Sequence, residues 1–337
     1  MAKISLEEKE KVLEKSIVDL NYEICGNSTD NNILKVREMY FGTREVFEYL
    51  QCNSCGCLQI LNPPSDYSKH YPANYFTYLQ KHESKLKARL NYYRDRAAMG
   101  ESSFIGNILL KKFGIPTYVS RLKRTGVELK DFILDVGCGR GVLLHKMKES
   151  GFENLLGIDP LMEQTIIYPN GLKILKQDFF NLNAEFDFIM FNHSFEHMQE
   201  PLEVMKKSHA LLKGNKFLLL RIPVCDSYAF RHYKSNWSSL DAPRHLYLHT
   251  KKSIEKLASA SGFEIKTITY DSRSWRLWGC EQYSRNIPLI DDRSFYVNPD
   301  KSIFSTNEIK DFEKQTVQLN KSGEGDQAEF YLQKKKL

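Results

Sequence analysis

The stretch Phe132-Ile133-Leu134-Asp135-Val136-Gly137-Cys138-Gly139-Arg140-Gly141 constrains this chain more than any other. It reads as a buried strand, a glycine-rich turn and the start of a helix. Ile133, Leu134 and Val136 suit a strand covered on both faces. Gly137, Gly139 and Gly141 let the backbone turn tightly and approach a ligand with no Cβ in the way. Eighteen residues after Gly141, a second apolar run, Leu155-Leu156-Gly157-Ile158, ends in Asp159-Pro160. An acid at the tip of a neighbouring strand can bind the two hydroxyls of a ribose.

The glycine spacing narrows the ligand. A dinucleotide fingerprint is G-x-G-x-x-G with its helix aimed at a pyrophosphate. Here the third glycine comes one position early, and Val142 stands where the fingerprint needs glycine. Asp135, just before the turn, would repel a pyrophosphate but attract an ammonium group. The ligand therefore carries a ribose and a positive charge, without phosphates. S-adenosylmethionine fits. On Leu134 to Gly141 the chain resembles the class I methyltransferases. The resemblance implies an α/β, Rossmann-like sheet of seven strands, mostly parallel, with the last antiparallel.

The rest of the chain fits that frame. After Phe132–Val136 the pattern predicts helix Val142–Ser150 and strands Leu155–Asp159, Leu172–Leu175 and Phe186–Phe191. Helix Pro201–Leu212 opens on proline, with Gly214 just past its end. Strand Lys216–Ile222, helix Lys251–Ser261 behind Thr250, and strands Phe263–Tyr270 and Ala328–Gln333 complete it. Alternating strands and helices imply a parallel sheet covered on both faces. Residues 271–326 are too long for a bare connection and read as an insertion near the substrate. Ahead of this domain (129–337) come an amphipathic helix at Ser5–Leu20 (segment 1–22), a cysteine-bearing module (23–80) and a basic helical connector (81–128). The connector is broken near Gly100 and at Pro116.

Composition excludes several classes. With 42% hydrophobic and 27% charged residues over 337 positions, the chain reads as a globular protein. No apolar run is long enough for a membrane span, and Ser5-Leu6-Glu7-Glu8-Lys9 does not read as a signal peptide. The expectation is a cytoplasmic protein. Seven cysteines argue for free thiols, with a metal as an option. A net charge of +6 tolerates a phosphorylated substrate but does not by itself imply nucleic acid. Association into an oligomer stays open.

Cofactor groups are expected at the strand ends. Asp135, Gly137, Cys138, Gly139 and Gly141 would face the methionine part. Asp159 and Pro160 would meet the ribose. Gln177, Asp178 and Phe179 would meet the adenine, with the Phe179 ring packed on the base. Asn192 and His193 would sit below the sulfonium. His193-Ser194-Phe195-Glu196-His197 also matches an inverted zinc-protease pattern, but it begins where a buried strand ends rather than on a helix. It resembles the Glu-His motif after the fourth strand of class I methyltransferases. In sugar C-methyltransferases of this kind that pair acts in proton abstraction, so Glu196 and His197 are candidates. The structural alternative is a loop bond and a helix cap.

Trp237 to Leu246, with Asp241, Pro243, Arg244 and His245, resembles the W…D-x-P-R-H-L segment of methyltransferases from cell-surface polysaccharide gene clusters. It either grips a polar substrate or is held by an internal Asp241–Arg244 pair; His245 is a second candidate base. The family resemblance also implies zinc at paired C-x-x-C motifs. Here Cys52 and Cys55 form one pair, while Tyr22 replaces the first cysteine of the other and leaves Cys25 alone. Cys57 or His70 would have to supply a fourth ligand; otherwise the knuckle is a relic held by apolar packing. Tyr71 and Tyr75 either form a lid over the sulfonium or pack in the core. The implied reaction is methyl transfer to an oxygen or carbon of a sugar, nucleotide-linked or within a surface glycan, with no nucleic acid partner. The alternatives are a small-molecule O-methyltransferase of the phenol or quinone type, an RNA or protein methyltransferase, and a non-catalytic cofactor-binding partner.

Overall fold

A computed structural model of the chain describes residues 22–71, 85–101 and 103–335. The expected helix at Ser5–Leu20 and the candidate lid residue Tyr75 lie outside the described residues.

Three antiparallel strands come first: β1 (Asn32–Arg37), β2 (Val46–Gln51) and β3 (Leu58–Ile60). Between β2 and β3 the chain makes a tight knuckle, closed by the Cys52 and Cys57 backbones and by Gly56. The basic connector forms three helices, α1 (Lys85–Ala98), α2 (Phe104–Phe113) and α3 (Thr117–Lys123). They break at Gly100 and around Pro116 as expected. Ser103 caps α2 by accepting the Gly106 N–H.

The central domain runs β4 (Phe132–Val136), α4 (Val142–Glu149), β5 (Asn154–Ile158), β6 (Ile166–Ile167), β7 (Lys173–Leu175), β8 (Phe186–Asn192), α5 (Pro201–Leu211), β9 (Leu212–Pro223), α6 (Tyr228–Tyr233), β10 (Tyr247–Leu248), α7 (Lys251–Ala260), β11 (Phe263–Tyr270), α8 (Trp275–Ser284), α9 (Thr306–Ser322) and β12 (Gln327–Lys334). The large sheet has the order β11-β12-β9-β8-β4-β5-β7-β6. Pairs from β9 to β7 are parallel, and β12 runs antiparallel to both its neighbours. This is the Rossmann-like sheet expected from the sequence, with one addition. Ile166–Ile167 folds back on β7 as an eighth edge strand, too short to leave a periodic signal.

Both faces of the sheet are covered. Leu134 and Val136 join one core with Val204 and Met205 of α5 and Ile254 and Leu257 of α7. Ile133, on the opposite face, joins Leu144 and Met147 of α4 and Leu122 of α3. That two-sided burial explains why β4 is an unbroken apolar run apart from Asp135. Gly214 departs from its expected role as a helix stop. It lies inside β9, because the chain passes from α5 directly into the strand and absorbs the change at a register shift opposite Phe186–Phe188.

β10 leaves the central domain and pairs with β3, so the N-terminal sheet reads β1-β2-β3-β10. Tyr49, Cys52, Cys55 and Cys57 share one core with Trp237, Leu240, Leu246 and Leu277. The knuckle, the Trp237–Leu246 loop and α8 are thereby fixed against one another. From β4 the chain crosses to β5 on one side, and β8 later fills the other side. The resulting crevice opens at the carboxyl ends of these strands, the usual ligand position in such sheets.

Candidate active site

Backbone defines the first half of the site. Gly137, Gly139 and Gly141 adopt φ of 70°, 53° and 73°, the left-handed region that glycine enters without strain. A Cβ on Gly137 would lie 2.4 Å from the Ser194 Cβ, and one on Gly141 2.6 Å from the Ile174 Cδ1. Asp159, just beyond β5, accepts the Gly139 N–H on Oδ2 and the Leu161 N–H on Oδ1, both at 2.9 Å. Those two bonds orient the carboxylate and leave further lone pairs for a pair of ribose hydroxyls. Asp135 is buried at the end of β4, 3.5 Å from the Asn192 amide nitrogen. Burial pushes its carboxyl up to about 7. A cationic ligand would reverse that cost by pairing with the charge.

The adenine side differs from expectation. Asp178 is exposed and caps a 3-10 turn at Phe179–Asn181, its Oδ1 accepting the Phe180 N–H. That turn sends Phe179 into the core, edge-on to Phe191 at 5.5 Å, and leaves Phe180 outside. Phe179 therefore packs the domain rather than a base. Gln177 is half-buried, Pro160 is exposed, and the Cys138 thiol points toward Gly157.

Ionisable side chains build the second half. Ser194 donates to the Val136 carbonyl and seats a 3-10 turn, Phe195–His197, against the glycine loop. Glu196 is fully buried, and neither of its carboxylate oxygens has a hydrogen-bond partner. His193 Nδ1 is 3.4 Å away and His245 Nε2 is 3.9 Å away. The His197 and His245 rings meet edge-on at 4.9 Å. The three candidates from two separate segments thus converge. Burial pushes Glu196 up to about 8 and His245 down to about 3, and it lowers His197. His197 Nδ1 lies 2.6 Å from the Arg244 carbonyl and His245 Nδ1 2.8 Å from the Ser239 carbonyl. A carbonyl only accepts, so both Nδ1 atoms carry the proton and both Nε2 lone pairs are free. The Tyr71 hydroxyl approaches His197 at 3.4 Å.

His193 sits at φ +55°. Its Nε2 meets Arg221 Nη1 at 2.7 Å, and Arg221 in turn donates to Asp271. Arg221 and Asp271 carry no sequence signal, since they are ordinary strand and loop residues that meet only through the sheet order. Arg244 makes the internal pair that is the structural alternative for this loop. Its guanidinium is buried, pairs with both Asp241 oxygens, reaches Glu38 at 3.3 Å and lies over Tyr40 and Phe41. Glu38, missed in the sequence, also accepts the N–H groups of Tyr40, Phe41, Gly42 and Thr43. It anchors the loop that carries His245.

Cys25, Cys52 and Cys55 come together, with ligand atoms within 4.8 Å of one another. Cys57 turns toward the Leu58 carbonyl and His249, and His70 faces Glu45, so neither supplies a fourth corner. All seven cysteines are free thiols. Among the described residues the three thiols are one ligand short of a closed structural zinc site.

Residues 115–268 match the family model described as a methyltransferase domain. Over that segment, just under half of the sequence, the chain is similar to a methyltransferase domain. Its glycine loop, acidic strand ends and sheet order agree with the S-adenosylmethionine site expected from the sequence. Two curated relatives, the tRNA U34 carboxymethyltransferases of Helicobacter acinonychis (strain Sheeba) and Helicobacter pylori (strain Shi470), are each 32% identical over 123 residues. The match covers 32% of this chain and 46% of each relative, so the chain spans about half their length. Among solved structures, a cyclopropane synthase of Mycobacterium tuberculosis aligns at 14% identity and TM-score 0.43, over 76% of this chain and 100% of its own. A SAM dependent methyltransferase of Archaeoglobus fulgidus aligns at 20% identity and TM-score 0.38, over 68% and 98%. No helix among the described residues is long and apolar enough to cross a membrane.

Proposed function

We propose that this methyltransferase domain transfers the S-adenosylmethionine methyl group to an oxygen or carbon of a sugar, nucleotide-linked or part of a surface glycan. The observation that carries this reading is the convergence of Glu196, His197 and His245 beside the glycine loop. Methyl transfer is an in-line displacement, and most of the enzyme's contribution is alignment of acceptor, methyl and sulfur. In the reading, Asp159 holds the ribose, Asp135 faces the cationic end, and Gly137 to Gly141 let the methionine part lie against the backbone. The acceptor atom attacks the methyl carbon as the carbon–sulfur bond breaks, and S-adenosylhomocysteine leaves. A hydroxyl or an acidic C–H must lose its proton in that process. Glu196, His197 and His245 are the groups placed to promote the loss.

The polar, buried character of this cluster fits a hydroxyl-rich acceptor better than a phenol or quinone, which calls for an apolar pocket. A second reading, an RNA acceptor, has in its favour the likeness to the two Helicobacter carboxymethyltransferases. Methyl-labelled cofactor, offered with a panel of sugar nucleotides, extracted glycans and total RNA, separates the two. Label in the sugar or glycan fraction is the expected result. Label in RNA alone, with binding that falls steeply as salt rises, would replace this reading by the second.

A further inference from the structure

We infer that Glu196, His197 and His245 form a binding site for a divalent metal ion of the middle transition series, through the Glu196 carboxylate and the two Nε2 atoms. The inference rests on the reading that this cluster faces the acceptor, and names the agent by which it acts.

Four features point the same way. One donor atom from each of the three side chains lies within 4.8 Å of the others; donors on one face of an octahedron at about 2.1 Å lie about 3.0 Å apart, so the side chains close by up to about 1.8 Å on binding. Glu196 is fully buried and neither oxygen accepts a well-formed hydrogen bond, the nearest group being His193 Nδ1 at 3.4 Å. Both histidines spend Nδ1–H on a backbone carbonyl, Arg244 for His197 and Ser239 for His245. That arrangement fixes the tautomer with Nε2 bare and is the usual support behind metal-ligating histidines. Finally, Asp241, whose Oδ2 lies 3.8 Å from His245 Nε2, is held by the Arg244 guanidinium.

Two imidazoles and one carboxylate suit manganese, iron, cobalt or zinc, whereas magnesium and calcium prefer all-oxygen sites. Three protein donors on one face of an octahedron leave the opposite face for the acceptor. Two neighbouring hydroxyls of a sugar can occupy it together. Once bound, an acceptor hydroxyl gives up its proton to water more readily, because the cation stabilises the oxyanion. The oxyanion then takes the methyl group, and the carbon–sulfur electrons return to sulfur.

The test is a cobalt(II) titration of the metal-free, full-length protein, followed by visible absorption. Cobalt is chosen because thiolate ligation by Cys25, Cys52 and Cys55 adds a near-ultraviolet charge-transfer band that a nitrogen–oxygen site lacks. We expect one equivalent of cobalt with visible bands and no thiolate band. Glu196→Gln, nearly isosteric and suited to keep the fold, should weaken it at least tenfold, as should His245→Ala. Cys52→Ser should leave it unchanged. Cobalt bound with thiolate bands alone, or binding unaffected by Glu196→Gln, overturns the inference. Calorimetry with S-adenosylhomocysteine on the same samples keeps the two readings apart. Cofactor binding without the cobalt site removes the metal and spares the methyltransferase, whereas the cobalt site without cofactor binding does the reverse.

Discussion

The two halves of the crevice are built from different materials. On the cofactor side the backbone does the shaping, through three left-handed glycines and two N–H groups that hold Asp159. On the proposed acceptor side ionisable side chains line the site, Glu196 and His245 buried and His197 half-buried, backed by Arg244, Arg221 and Glu38. A backbone site accepts one shape and tolerates few substitutions. A side-chain site is tuned by its charges and can lose a group without losing its walls. Substitutions in the first half should therefore abolish binding, and those in the second should spare binding and abolish turnover.

The largest effect is expected at Gly137. Gly137→Ala places a Cβ 2.4 Å from that of Ser194 at φ +70°, a position both blocked and strained. Calorimetry should detect no S-adenosylhomocysteine binding; wild-type affinity would break the claim that backbone sets this half. Next, His197→Ala should lower turnover by about 10²–10⁴, the range for assisted proton transfer. Its cofactor affinity should stay within about threefold, and a joint loss of both would erase the contrast. Phe179→Ala should act on stability rather than on binding. Deleting that buried ring should cost about 3–5 kcal/mol, read from denaturant titration.

A smaller effect concerns pH. Burial pushes the Asp135 carboxyl up to about 7. A cationic ligand binds its ionised form, so below that value a proton must leave before binding. Affinity should weaken as pH falls, approaching about tenfold per unit. Asp135→Asn should flatten that profile, and an unchanged slope in the variant would assign the dependence to another group.

Legibility followed the same division. The glycine loop, Asp159 and strand β4 are local, each signalled within about ten residues by spacing and apolar pattern, and the parallel character of the sheet follows from the alternation of strands and helices. Residues assembled by tertiary contact were harder to read. Arg244 meets Glu38 across 206 positions, and no local pattern distinguishes an arginine that grips a ligand from one that anchors a loop. Phe179 and Phe180 are adjacent aromatics, and only the turn capped by Asp178 decides which of them faces inward. Gly214 looked like a helix stop because a register shift in a strand leaves the same residue in the same place.

The mouth of β4 and β5 works as a cofactor site only if it receives a nucleoside through Asp159. Calorimetric titration of S-adenosylhomocysteine into the wild-type protein and Asp159→Ala measures this directly. One equivalent bound by the wild type and no detectable binding by the variant is the predicted result. A wild type that binds nothing, or a variant that binds as tightly, would contradict it.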